Sequence, residues 1–265
     1  MMCFKEILFK QGYMRYAETG SGNSILYIHG LGSSGTEDYP LVFPYIPGFR
    51  HLAPDLFGFG HSDKPLDYSY SLTEQAHSLL SFLNYLGLNC VSIVAHSMGG
   101  AIALELYRQA PERVQSLVLC EGNIRDGGGF LSRPIVQNYT EEQFVQEYTK
   151  WAEQFAVNID NEGICRPGKK QFARTIKMAA PVAVYRSAQS LVSPFPCGPD
   201  FFETVDLPRA WITGTQMLDQ DQYERLAGCG VSTYKIPKAG HAMMLDNPKE
   251  FGEILMQFLK EVGIC

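Results

Sequence analysis

The sequence has no apolar run near the ~20 residues that a membrane-spanning helix requires. Its first residues, MMCFKEILFKQGYMRYAE, interrupt their apolar side chains with charges, which is unlike a signal peptide. We therefore expect no membrane insertion and predict a cytoplasmic protein.

The chain also lacks a basic excess, because 22 Lys and Arg stand against 28 Asp and Glu, a net charge of −6. We expect no nucleic-acid partner, since phosphate backbones are bound by clustered Lys and Arg.

Closely spaced cysteine pairs are also missing. The seven cysteines are odd in number and dispersed, and none forms a C-x-x-C pair. This pattern indicates neither a disulfide framework nor a zinc site, so we interpret the residues as reduced, small apolar side chains. They are Cys3, Cys90, Cys120, Cys165, Cys197, Cys229 and Cys265.

Apolar residues are plentiful enough to bury a full core, since 45% of the 265 residues are hydrophobic. Short apolar runs alternate with amphipathic stretches, which predicts a mainly parallel sheet covered by helices on both faces. The predicted strands are Phe4–Phe9, Tyr13–Glu18, Ile25–His29, Arg50–Ala53, Val91–Ala95, Val114–Cys120, Ala210–Thr213 and Ser232–Ile236. The predicted helices are Thr73–Leu86, Met98–Gln109, Asp221–Ala227 and Pro248–Glu261.

One long region, from Asn123 to about Thr204, contains no clear strand. A capping box of Thr140 and Gln143 predicts the start of one helix there, and Pro181 predicts the first position of another. An all-helical insertion between two strands is expected to lie over the carboxyl ends of the sheet as a cap. The first helix has an aromatic stripe, which we expect mostly to pack the cap on the core. The stripe is Phe144, Tyr148, Trp151 and Phe155.

A serine among glycines stands where the stretch VSIVAHSMGGAIALELYRQ changes from a strand pattern to a helix pattern. The turn is so short that its central residue, Ser97, is expected to adopt positive φ with small neighbours on both sides. A serine hydroxyl is a poor nucleophile unless a base accepts its proton. His241 is the best candidate base, because it lies in a Gly-containing loop after the last predicted strand.

Four motifs occur in one order along the chain: HGLGSSG, PDLFGFGHSDKP, AHSMGG and KAGHAMMLDNP. Together they resemble the α/β-hydrolase fold superfamily. The resemblance implies an eight-stranded, mainly parallel sheet flanked by helices, with the core formed by residues 1–122 and 205–265 and a helical cap by residues 123–204. One departure is that Ala95 replaces the first glycine of the G-x-S-x-G pattern, and alanine is small enough for the turn.

The resemblance also implies the roles of several residues. Ser97 is the expected nucleophile and His241 the base, while backbone N–H groups of Leu31 and Met98 are expected to form the oxyanion hole. His29 is expected to order its loop. His96 is expected to support the turn at the serine for a separate reason, since adjacent residues at a sharp turn point in different directions. No metal and no organic cofactor is implied.

The carboxylate that completes a catalytic triad is ambiguous. The family most often has it in a Gly-x-x-Asp turn after the strand that follows the cap, but the third residue after Gly214 is Met217. Asp219 or Asp221 is one possibility in that loop. The other is Glu121, at the end of the strand before the cap, where some relatives have their acid. We favour Glu121 by a small margin over Asp219.

Asp55 and Ser62, in the motif PDLFGFGHSDKP, are expected to fix their loop through local hydrogen bonds.

The predicted function is a cofactor-free serine hydrolase that cleaves a carboxylic ester or a related small acyl substrate through an acyl-enzyme. The alternative is a ligand receptor or regulatory protein on the same fold with little turnover. The natural substrate and the oligomeric state are not indicated by the sequence.

Overall fold

The computed structural model describes residues 2–161, 166–194, 197–198 and 200–264; Cys165, Cys265 and parts of the predicted cap lie outside them. Eight strands in this part of the chain form one sheet with the order β1-β2-β4-β3-β5-β6-β7-β8. Their bounds, in order from β1 to β8, are Cys3–Phe9, Gly12–Gly20, Asn23–Ile28, Phe49–Pro54, Val91–His96, Val114–Cys120, Arg209–Gly214 and Ser232–Ile236.

The sheet is mainly parallel, as predicted. β1 pairs antiparallel with β2 and β2 with β4, while every pairing from β4 through β3, β5, β6 and β7 to β8 is parallel. The predicted strands are confirmed with ends shifted by at most two residues. β2, for example, extends to Gly20 because that residue still pairs with Arg50 of β4.

Within the described residues, the chain forms eleven α-helices and three short 3-10 segments. From α1 to α11 the helices are Gly35–Asp38, Leu72–Tyr85, Met98–Gln109, Ser132–Asn138, Glu141–Asn161, Pro167–Thr175, Pro181–Val192, Phe201–Thr204, Gln220–Gly228, Met243–Asp246 and Pro248–Glu261. The 3-10 segments are Phe43–Tyr45, Pro111–Arg113 and Ile176–Met178. None of these helices has the length and apolarity needed to cross a membrane.

Helices cover both faces of the sheet, which explains why the central strand β5 is buried at every position. Side chains of a strand alternate between the two faces. Ile93 and Ala95 therefore join a core cluster with residues of α2 and α3, whereas Val94 joins a second cluster with residues of α11. The middle of the sheet is thus fixed by packing from both sides.

The helices α4 to α8 all lie between β6 and β7, in the region where the sequence predicted a helical insertion. The capping box of Thr140 and Gln143 is confirmed: the Gln143 side chain accepts from the Thr140 backbone at 2.8 Å, and the Thr140 hydroxyl accepts from the Gln143 backbone at 3.3 Å. Pro181 begins α7, also as predicted. The rings of the aromatic stripe pack against one another, and Phe144 is fully buried in contact with Tyr148 and Trp151.

The loops that follow β3 and β4 are held together by Asp55. Its carboxylate accepts from the Ser34 hydroxyl at 2.7 Å and from the backbone N–H groups of Thr36 at 3.0 Å and His61 at 2.8 Å. The Ser62 hydroxyl donates to the Asp55 carbonyl oxygen at 2.6 Å. The expectation that Asp55 and Ser62 fix this loop is confirmed.

A second carboxylate, Asp38 in α1, is buried close to Asp55. Burial raises the pKa of Asp38 to about 7, and repulsion by Asp55 adds to this effect, while hydrogen bonds from Ser33 and Ser34 oppose it. In an unfolded chain an Asp has a pKa near 3.9. Between these two values the folded protein holds the proton more tightly, so the free energy of unfolding falls as the pH rises from about 4 to about 7.

Asp38→Asn should remove this fall, because the amide stays neutral at every pH and keeps an acceptor oxygen. We expect the variant and the parent to be similarly stable near pH 4, and the variant to be more stable near pH 8 by on the order of a few kcal/mol. Urea unfolding at several pH values measures the difference. Asp67→Asn, at an exposed carboxylate, is the control; a constant offset between Asp38→Asn and the parent would contradict the prediction.

Candidate active site

Ser97 occupies the single position between the end of β5 and the start of α3, with φ 52° and ψ −119°. Positive φ is rare and strained for a residue with a Cβ. The small neighbours are required by close backbone contacts: a Cβ at Gly99 would clash with the carbonyl oxygen of Ile28, and one at Gly100 would lie 2.7 Å from the Cα of Gly122. The expected sharp turn with positive φ is confirmed.

Backbone hydrogen bonds join this turn to the end of β6. The Ser97 N–H donates to the carbonyl oxygen of Cys120 at 3.2 Å, and its carbonyl oxygen accepts from the N–H of Asn123 at 2.8 Å. Glu121 lies between these two partners and also has positive φ, 44°. Two strained residues are thus held side by side at the carboxyl edge of the sheet.

The structure brings Glu121 and His241 into direct contact, with 2.6 Å between Oε2 and the ring nitrogen Nδ1. The other carboxylate oxygen accepts from the Thr213 hydroxyl and from the Gly214 N–H, each at 2.9 Å. These bonds fix the carboxylate in one orientation. When Nδ1–H donates to it, the remaining nitrogen, Nε2, is free to act as an acceptor.

The alternative carboxylates of the β7 loop are placed differently. Asp219 precedes α9 as its N-cap, and its Oδ1 accepts from the backbone N–H of Gln222 at 3.0 Å. Asp221 is an exposed residue in the first turn of that helix, and Met217 is also exposed. The structure therefore pairs Glu121 with His241 and uses Asp219 to cap a helix.

His96 contacts the segment that presents His241. Its Nε2 donates to the His241 carbonyl oxygen at 2.8 Å, and the two ring centroids are 4.5 Å apart. Burial, followed by the proximity of His241, lowers the pKa of His96 well below its usual value. Because His96 stays neutral, it fixes the backbone of the loop without adding a second positive charge beside His241.

The loop after β3 lies against the serine. A Cβ at Gly30 would come within 3.1 Å of the Ser97 Cβ. Leu31, a predicted oxyanion residue, is the next residue along the chain. His29 orders the loop, as expected, since its Nδ1 donates to the Gly30 carbonyl oxygen at 2.8 Å and its Nε2 accepts from the Leu56 N–H at 3.0 Å. Met98, the other predicted oxyanion residue, is the first residue of α3, where helix N–H groups lack internal partners.

A buried carboxylate, Asp246 in α10, connects the histidine loop to the helices between β6 and β7. It accepts from the Gly240 N–H, next to His241, and from the Gly168 N–H at the start of α6, both at 2.9 Å. The Arg166 guanidinium lies 3.8 Å from the same carboxylate. The position of the histidine loop thus depends on the docking of α6.

Two contacts of this site were not found from the sequence. Thr213, which orients Glu121, stands at the carboxyl end of β7. Because β7 pairs with β6, which Glu121 follows, the order of the strands is the signal that could have identified Thr213. Phe130, whose ring centroid is 5.4 Å from that of His241, follows a run of glycines with no periodic pattern.

Among the residues that the structure describes, no group of three or more His, Cys, Asp or Glu is arranged to hold a metal ion.

Comparisons with known proteins agree with this architecture. Residues 23–175, more than half of the chain, match the family model described as alpha/beta hydrolase fold. A 2-hydroxymuconate semialdehyde hydrolase of Pseudomonas sp. (strain CF600) is 36% identical over 45% of this chain and 41% of its own. Lipase 1 of Psychrobacter immobilis is 34% identical over 46% of this chain and 38% of its own. The chain matches only about a third to two fifths of the length of such curated relatives.

Solved structures are similar over nearly the whole chain. A thermophilic esterase from Thermogutta terrifontis aligns with a TM-score of 0.79 and 21% identity, covering 98% of this chain and 99% of the esterase. The N-acyl homoserine lactonase AidH aligns with a TM-score of 0.75 and 21% identity, covering 99% of this chain and 98% of the lactonase. At this level of identity the likeness shows a shared fold.

Gly100→Ala tests the close contact between α3 and the chain after β6. The added Cβ would lie 2.7 Å from the Cα of Gly122 and 3.1 Å from the backbone nitrogen of Asn123. We expect the free energy of unfolding to fall by about 1–3 kcal/mol through overpacking, although alanine otherwise favours a helix by roughly 1 kcal/mol. Urea denaturation measures the change. Gly228→Ala, a helical position with open space around the Cβ, should be neutral or stabilising, and equal losses in both variants would refute the contact argument.

Proposed function

The chain belongs to the alpha/beta hydrolase fold family, and from this premise we propose that it is a serine hydrolase that cleaves a carboxylic ester or a related small acyl substrate. The observation that supports the proposal most directly is the 2.6 Å contact between Glu121 and His241 at the same sheet edge as the strained Ser97. Serine, histidine and carboxylate on one edge provide the parts for acyl transfer. The helices of residues 123–204 are proposed to form the cap over this site.

In the proposed reaction, the Ser97 hydroxyl attacks the substrate carbonyl carbon while Nε2 of His241 accepts its proton. The Glu121 carboxylate holds the imidazole by accepting from Nδ1–H and stabilises the imidazolium that forms. The negative oxygen of the tetrahedral intermediate is bound by the backbone N–H groups of Leu31 and Met98. These donors belong to the backbone, so they are in place before the substrate arrives.

Collapse of the intermediate breaks the bond to the leaving group. His241 donates its proton to the leaving oxygen, which departs as an alcohol, and the acyl group remains on Ser97 as an ester. Water then attacks the acyl carbon while His241 accepts a proton from it; the bond between the acyl carbon and the Ser97 oxygen breaks, His241 returns the proton to that oxygen, and the carboxylic acid is released. Every proton in the cycle passes through Nε2, and the chain's own residues suffice for each step.

The relatives support acyl chemistry in general terms. Among them are proteins named as a lipase, a semialdehyde hydrolase, an esterase and a lactonase, and also a haloalkane dehalogenase. A serine at position 97 favours acyl transfer, because its hydroxyl requires the base that the Glu121 and His241 pair provides. We therefore propose an ester or another small acyl compound as the substrate.

Ser97→Ala should leave a folded protein without its nucleophile. We expect the hydrolysis of p-nitrophenyl esters to fall by roughly three orders of magnitude or more, while circular dichroism and the melting temperature stay close to those of the parent. A fluorophosphonate should label the parent once, at Ser97, and His241→Ala should nearly abolish that labelling. Near-normal hydrolysis by Ser97→Ala would refute the serine mechanism, and full labelling of His241→Ala would refute the base.

Glu121→Gln keeps the size of the side chain but removes the charge that holds the imidazole. We expect kcat to fall by roughly two to four orders of magnitude, as for loss of a triad acid, with a much smaller change in KM. Asp219→Asn is the matched control, because asparagine is an equally good N-cap and the residue does not contact His241 in the proposed site. A large loss in Asp219→Asn with none in Glu121→Gln would assign the acid to Asp219 instead.

A further inference from the structure

Phe130 is an exposed aromatic residue that contacts the proposed catalytic base. Its ring lies 5.4 Å from the His241 ring, centroid to centroid, at an interplanar angle of 82°. Although it makes this edge-to-face contact, the residue remains 64% exposed. The His241 side chain is itself 25% exposed, so both of these contacting rings are open to solvent.

Local hydrogen bonds, rather than burial, hold the loop before this ring. Gly127 and Gly128 adopt φ values of 86° and 67°, which permit a tight turn. The Ser132 hydroxyl accepts from the Gly129 N–H at 2.8 Å, and the Arg133 Nε donates to the Gly127 carbonyl oxygen at 2.9 Å. The loop is thus anchored to the first turn of α4.

The direction of proton transfer determines which part of a substrate this ring would meet. In the proposed mechanism His241 donates from Nε2 to the leaving oxygen, so the leaving group must lie beside the imidazole at that moment. The carbonyl oxygen points instead toward Leu31 and Met98. Both His96 and Phe130 contact the His241 ring, but His96 is buried and Phe130 is exposed. Phe130 is therefore the one that a leaving group beside the imidazole can contact.

We propose that Phe130 is a specificity-determining residue that favours acyl substrates with an aromatic leaving group, an inference that rests on the proposed function. An aryl ring beside His241 would cover the exposed phenyl surface and gain the offset or edge-to-face contact that aromatic pairs prefer. A short alkyl alcohol covers less of that surface and has no ring to pair. The acyl chain lies elsewhere and is not selected by Phe130.

The test compares phenyl acetate with ethyl acetate on the parent protein and on Phe130→Ala. For each protein we take the ratio of kcat/KM for the two esters, and we then compare the ratios of the two proteins. This comparison cancels the intrinsic reactivity of phenol as a leaving group. We expect Phe130→Ala to lose roughly tenfold on phenyl acetate, in line with the worth of one aromatic contact and its buried area, and less than twofold on ethyl acetate. Phe130→Trp should retain the preference and Phe130→Leu only part of it.

Two further measurements make the outcome specific. Phe4→Ala removes an equally exposed phenylalanine, 65% accessible on the edge strand β1, and should change neither ester. Phenyl acetate and phenyl butyrate differ only in the acyl chain, so Phe130→Ala should reduce both by the same factor.

Three results would overturn the inference while leaving the hydrolase proposal intact. They are equal losses on phenyl and ethyl acetate, which would make Phe130 a support for His241 alone; a loss that depends on acyl length; and no loss at all. Two other results would overturn the proposed function and the inference with it. One is that Ser97→Ala hydrolyses these esters at the parent rate, and the other is that the parent hydrolyses no ester.

Discussion

Backbone hydrogen bonds between adjacent strand ends are the constraint on which the rest of the site depends. The Ser97 N–H donates to Cys120 at the end of β6, and the Glu121 N–H donates to Ile212 in β7. These bonds hold two residues at positive φ, a conformation that costs roughly 1–3 kcal/mol for each when it is not otherwise compensated. The nucleophile and the acid of the proposed mechanism are thus positioned by the sheet itself, and only the histidine depends on a loop.

The fold could be predicted from the sequence because it depends on local patterns. Strands and helices of the core show their periods in the apolar residues, and the turn at Ser97 follows from small residues within a few positions. The partner of His241 could not be settled in this way. Glu121 is 120 residues away along the chain, and only the adjacency of β6 and β7 shows that its carboxylate reaches the imidazole. The sequence favoured Glu121 over Asp219 only by a small margin, and in the structure Asp219 is the N-cap of α9.

The burial of individual side chains outside the core pattern is the other property that the sequence did not reveal. Asp38 stands in a polar stretch, SSGTED, that is typical of an exposed turn, yet the structure buries it beside Asp55. The opposite holds for Phe130, an aromatic residue in a glycine-rich segment that the structure leaves exposed next to His241. Both are tertiary effects, since they depend on which surfaces meet and not on local spacing.

The contacts of Asp246 have a consequence for how the protein opens. One carboxylate accepts hydrogen bonds from the histidine loop and from the start of α6, so detaching that helix breaks one of these bonds and also the ion pair with Arg166. Partial opening of this region is therefore costly, and the loop and the helix should exchange their amide protons as one cooperative unit. A segment far away in the sequence thus sets the lifetime of the ordered histidine loop.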